Sequence, residues 1–304
     1  MISFRQHVVT IVAVFLALAL GMLAGSAFIQ PRLVDTLETR VDEYLGTIEE
    51  LRGEIEQLRD RFAAEQALND VALPHLTQGR LQDRNVVVIA QEGVEDDVVD
   101  ATRLALDQAG ASTVILSARE ILATEDGQVR ADLAELLGLP GAEPAELPRL
   151  TAEALADRLA TQGNGDTDTD LLHALLTDGY LAPVDANISD ATLSTIGGPD
   201  QLVVVLAGGP DEAPAMPPEE FSIPLVERLA DLGLSVAAGE SMDTVSPFVP
   251  LVRAGGVDGL VTVDDLDESR GGAALVLGLQ QLLLTGDGGD YGVKDDALPL
   301  PPLP

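Results

Sequence analysis

Four acidic residues, Asp264, Asp265, Asp267 and Glu268, follow directly on the apolar run 259–263 and form the most site-like group in the sequence. Carboxylates at the C-terminal end of a strand can hold a cation or share acid–base work, and open α/β sheets place ligands there. The ordinary alternative is a charged, solvated turn. A second candidate is Gly239-Glu240-Ser241-Met242-Asp243, also after a strand-like run, where a serine stands as it does in a nucleophile elbow. Its second glycine is replaced by Asp243, and no histidine follows Ser241 in the chain, so the hydrolase order of serine before histidine fails. Asp166, Asp168 and Asp170 alternate as in a calcium loop. The glycine such a loop requires is Leu171 and its closing glutamate is Thr177, which leaves a solvated loop and a helix cap.

Other chemistry finds little support. The first strand-like run leads into Gln91-Glu92-Gly93-Val94-Glu95-Asp96, with acidic residues where a phosphate would sit and no GxGxxG. Gly208-Gly209-Pro210 reads as a tight turn before Asp211 and Glu212. The sequence has no cysteine, which removes disulfides, thiolate metal sites and cysteine nucleophiles. His7, His75 and His173 are far apart and lack partners at ligand spacing. Met1, Met22, Met216 and Met242 form no paired motif for Cu(I), which takes thiolate and thioether ligands. No cofactor, catalytic residue or metal ligand is expected, and the chain reads as a non-enzyme.

The elements around these residues are clearer. Residues 8–29 carry no charge and are long enough to cross a bilayer as a helix. Gly21 and Gly25 form a GxxxG pair within it. A cleavable signal peptide ending near Ala24-Gly25-Ser26 is the rival reading. With Arg5 on the short side, the expected protein is single-pass, N-terminus cytoplasmic and main domain extracytoplasmic. With 51 acidic against 17 basic residues, the chain repels phosphate backbones, so nucleic acid is not an expected partner.

After Pro31 a heptad pattern runs with Val34, Val41, Ile48, Ile55 and Phe62 at a and Leu37, Tyr44, Leu51 and Leu58 at d. The seam fails at Glu65. Mostly β-branched a positions with mostly Leu at d favour a parallel two-stranded coil, and these nine residues are the expected homodimer interface. An amphipathic helix lying on its own domain is the alternative.

From residue 85 strands and helices alternate. Strand-like runs at 85–90, 113–116, 202–207, 235–238 and 259–263 are interleaved with helical stretches at 95–109, 131–138, 151–161, 169–177, 222–232 and 271–284. The expected architecture is an α/β chain: a membrane anchor over 1–30, a coiled coil over 31–68, a linker over 69–84, and a Rossmann-like, mostly parallel domain over 85–285. A helical block at about 118–200 reads as an insertion, and the Gly- and Pro-rich tail 286–304 as extended and mobile.

The opening Met1-Ile2-Ser3-Phe4-Arg5-Gln6-His7, the apolar run 8–29 and the coil resemble the actinobacterial MctB family. So do Gly272-Ala273-Ala274-Leu275-Val276-Leu277 and Asp290-Tyr291-Gly292-Val293-Lys294 near the other end. Members are labelled copper transporters, one proposed as a mycobacterial outer-membrane channel. The related SteB proteins are described as membrane-anchored partners of SteA in cell separation, acting through control of cell-wall hydrolases. The resemblance therefore implies either copper homeostasis across the envelope or a regulator of a second, SteA-like membrane protein. The residues favour the latter, since neither copper ligands nor the amphipathic strands of a β-barrel pore are evident.

Overall fold

The computed structural model describes residues 4–161, 170–184, 188–211 and 214–302, with side chains for all of these except 26–39, 190 and 191. Two compact units are distinguished, Met1–Glu65 and Gln66–Pro304. Helix α1 (Phe4–Thr77) makes up the first unit and contributes its last turns to the second.

In the first unit, residues Phe4–Gly25 have a mean hydropathy of 2.6 and none of this stretch is buried within the protein. A helix so apolar and so unburied has no place in water; it is long enough to cross a membrane. Beyond it the heptad positions described, Val41, Tyr44, Ile48, Leu51, Ile55, Leu58 and Phe62, are 44–66% exposed. Val34 and Leu37 lie outside the residues with described side chains.

The second unit is an α/β/α sandwich. Its strands are β1 (Asn85–Gln91), β2 (Ser112–Ala118), β3 (Leu181–Pro183), β4 (Leu202–Leu206), β5 (Ser235–Gly239), β6 (Leu260–Val263) and β7 (Gly289–Tyr291). They form one sheet in the order β3-β2-β1-β4-β5-β6-β7. Every neighbouring pair is parallel except β2 with β3. The central strands are continuously apolar because both faces are covered. Val87, Ile89, Val203 and Val205 point to one core; Val86, Val88, Ala90, Leu202, Val204 and Leu206 point to the other. Helices α2 (Asp96–Gln108) and α9 (Ser269–Thr285) cover the second face. Helices α4 (Leu147–Ala160), α5 (Leu171–Thr177), α7 (Ser222–Asp231) and α8 (Val249–Gly255) pack into the first. Helix α3 (Gly127–Leu136) adds Leu133 and Ala134 to that first core, and the short α6 (Asp190–Leu193) lies against it through Leu193.

Three segments differ from the expectation. Residues 69–77 are helix rather than linker, with Leu73 buried, and Leu81 just beyond joins the core beneath α2. The block 118–200 contributes β3 and sets Leu155 and Leu159 of α4, both fully buried, against the sheet and α7; it is one wall of the core. The tail is not free: it forms β7 and buries Tyr291. Short strands of Gly, Pro and Asp carry no periodic signal, which is why β3 and β7 escape a sequence reading.

If α4 is part of the core, Leu155→Ala should lower global stability by about 2–5 kcal/mol, measured by chemical unfolding. A change confined to local mobility of the block, with global stability kept, would mark it as a detachable insertion.

Candidate functional site

Strands β5 and β6 end side by side, Gly239 opposite Val263, and the next residue of each is a carboxylate: Glu240 and Asp264. Both are 0% exposed. The ladder continues through them, Glu240 N donating to Val263 O (3.0 Å) and Asp264 N to Tyr291 O (3.3 Å), so the sheet itself fixes both residues.

A buried carboxylate persists only with partners, and each has them. Glu240 Oε2 accepts from the amides of Phe248 (2.7 Å) and Val249 (2.9 Å), where α8 begins. Its Oε1 accepts from Lys294 Nζ at 2.8 Å, and that ammonium also donates to Ser241 O at 3.0 Å. Asp264 Oδ2 accepts from Arg253 Nη1 at 2.6 Å, while Oδ1 accepts from the amides of Val293 (2.7 Å) and Lys294 (3.2 Å). Arg253, its side chain 8% exposed, also donates to Thr262 Oγ1 and to the carbonyls of Tyr291 and Lys294. The result is a closed ionic knot joining β5, β6, α8 and the C-terminal segment.

The acidic group singled out from the sequence sits beside this knot but does not converge. Asp265 Oδ2 pairs with Arg270 (2.9 and 2.8 Å), while its Oδ1 is buried and has no hydrogen-bond partner among the described residues. Burial pushes the Asp265 carboxyl above its usual range; Asp264 and Asp267 push the same way, and Arg270 opposes them. Asp267 accepts from Met242 N (2.8 Å), tying together the loops after β5 and β6. Glu268 accepts from Gln66 Nε2. Four carboxylates with four separate partners are not arranged to grip one ion.

The other motifs are likewise occupied. Among the described residues, Ser241 Oγ accepts only a long bond, from Asp243 N (3.4 Å). Asp166 and Asp168 lie outside the described residues. Asp170 caps α5 through Leu172 N and His173 N and pairs with Arg158 at 2.6 Å. Burial pushes the Asp170 carboxyl up, but the Arg158 hydrogen bonds and charge, with the two amides, outweigh it and hold it below the usual range. At the crossover between β1 and β4, where such sheets bind nucleotides, Gly209 lies so near Gly93 that a Cβ would stand 2.6 Å from its carbonyl. The gap left there, lined by Gln91, Glu92, Glu120 and Gly208 among others, is about 20 Å³, room for a single water. Gln91 plugs it from below, held by Met216 O and Ser222 Oγ.

Nothing in the sequence singles out Arg253; Gln91 and Lys294 stand there only within the stretch after the first strand and the family-like closing segment, and Glu240 only within the elbow-like motif. One signal was available for Lys294: it is the chain's sole lysine.

Residues 1–302 match the family model described as "Copper transport outer membrane protein, MctB". The chain belongs to the MctB family. Relatives named copper transporter MctB, from Mycobacterium bovis and Mycobacterium tuberculosis, are 26% identical over 316 residues, covering 98% of either chain. The Mycobacterium leprae protein of the same name is 26% identical over 315 residues, again covering 98% of each chain. Family membership thus extends from the apolar helix through to the C-terminal segment that closes the knot. Among the described residues no group of three or more His, Asp or Glu side chains is placed to hold a metal ion.

The raised Asp265 fixes the sign of a pH effect. The folded protein binds this proton more tightly than the unfolded chain, so stability from this group falls as pH climbs from about 3.8, the unfolded value, through the folded value. Asp265→Asn should therefore gain stability over the wild type near pH 7, and the gain should shrink towards pH 4. Thermal melts across that range check it; a pH-independent difference would contradict it.

Proposed function

We propose that this chain is a single-pass, non-enzymatic envelope protein that dimerises through its heptad seam and presents the α/β unit to a second membrane protein. The observation that carries this is the run Val41, Tyr44, Ile48, Leu51, Ile55, Leu58 and Phe62, each 44–66% exposed. Apolar side chains at a and d of a helix with charged flanks are costly to leave in water, and a second copy of the same helix covers them all at once. The apolar stretch Phe4–Gly25 supports anchoring of the N-terminal end. The strand order, with its crossover between β1 and β4, supports a Rossmann-like fold. The occupied knot and the plugged crossover support a domain that works by its surface. One feature of that surface is a hollow of about 250 Å³ among Leu73, Pro74, Leu104 and Ala273. The SteB-like side of the family resemblance supplies the role: regulation of a SteA-like partner during cell separation.

A second reading, copper handling across the envelope, is favoured by the names of the family and of its relatives. Its difficulty is donor chemistry. The sequence has no thiolate, and Met216 is 1% exposed among apolar neighbours.

Two measurements separate the readings. Ile48→Asp with Ile55→Asp should convert a dimer of residues 31–304 into a monomer by light scattering, with the melting of the α/β unit unchanged. Loss of α/β folding in that variant would mean the helix stripe serves its own domain instead. Titration of the full chain in detergent with Cu(I) should reveal no stoichiometric site of micromolar or tighter affinity. Such a site would move the conclusion to copper handling.

A further inference from the structure

The segment after α9 is held on the sheet by two kinds of contact. Its main apolar anchor is Tyr291, 2% exposed and packed against Gly278, where a Cβ would come within 3.0 Å of the ring, with Leu300 packing on the same core further along. Its polar anchors all reach into the knot. Lys294 Nζ goes to Glu240 and Ser241 O, the Val293 and Lys294 amides go to Asp264, and the Tyr291 and Lys294 carbonyls go to Arg253. At Gly292, with φ of +126°, a Cβ would stand 2.2 Å from Asp264 Oδ1, so the chain passes the carboxylate as closely as glycine allows.

The two sides of this contact are unequal. Without the segment, Glu240 keeps the amides of Phe248 and Val249, Asp264 keeps Arg253, and Arg253 keeps Thr262. Every buried charge of the body retains a partner of its own. Lys294 does not: its ammonium bonds go to body residues alone. The connection to α9 runs through Gly286, Gly288 and Gly289, with Gly286 in the left-handed region at φ +78°. β7 pairs with β6 over only three residues. A segment with a glycine-rich hinge and a short ladder, on a body whose buried charges each keep one partner when it leaves, has what local opening requires.

We infer that residues 289–302 form a strap that opens as a cooperative unit of its own, apart from the rest of the sheet, with Lys294 as its latch. Opening uncovers the hydrogen-bonding edge of β6 and an anionic socket made by Glu240 and the Ser241 carbonyl.

Hydrogen exchange read by mass spectrometry on the full chain in detergent micelles tests this. In the unaltered protein, amides of 290–298 should exchange faster than those of β4. Lys294→Met should speed strap exchange about tenfold or more, the weight of a charge-assisted bond, and leave β4 unchanged; Lys294→Arg should speed it less. The inference is overturned if the strap of the unaltered protein is as protected as β4, if Lys294→Met leaves strap exchange unchanged, or if strap and β4 accelerate together.

Discussion

The pairing of Asp264 with Arg253 is the constraint on which the C-terminal half of the sheet depends. Asp264 is fully buried at the end of β6, and Arg253, from the last turn of α8, reaches it at 2.6 Å. Once placed, the guanidinium has donors left over, and these take up Thr262 and two carbonyls of the C-terminal segment. The other Asp264 oxygen takes that segment's amides. A charge pair out of water must satisfy every remaining donor and acceptor, so one ion pair dictates the course of β7 and the position of Lys294. That in turn supplies the second pair, with Glu240. The carboxyl ends of β5 and β6 are closed here by the C-terminal segment.

This changes how the acidic composition is to be read. An excess of Asp and Glu raises the prospect of cation binding, and Asp264, Asp265, Asp267 and Glu268 cluster in sequence. In space they diverge, each to its own arginine, amide or glutamine. Sequence proximity at the end of a strand cannot distinguish these outcomes, because the chain bends and turns through 264–268 and sends each side chain its own way.

The parts of the fold that are long and periodic were legible from the residues. The apolar runs around Val86–Ala90 and Leu202–Leu206 and the helices after them lie where their patterns put them, within a few residues. The heptad positions described are unburied within the chain. What escaped reading depends on partners distant in sequence. Leu181–Pro183 becomes a strand only because Leu116–Ala118 offers it an edge. Lys294 becomes a half-buried latch only because Glu240, 54 positions earlier, lies across from it. A glycine- and proline-rich composition describes the tail's freedom before docking and is silent on the socket that captures it.

The charged residues at the ends of β5 and β6 are spent on holding the structure. A double-mutant cycle between Arg253→Met and Asp264→Asn, read by chemical unfolding, addresses it most directly. Arg253→Met alone, which strands a buried carboxylate, should cost about 3–5 kcal/mol. The double variant should recover much of that, giving a coupling of at least about 2 kcal/mol. Single variants that each cost under about 0.5 kcal/mol, or effects that simply add, would mean the two charges are loosely held and open to an external ligand, and would contradict it.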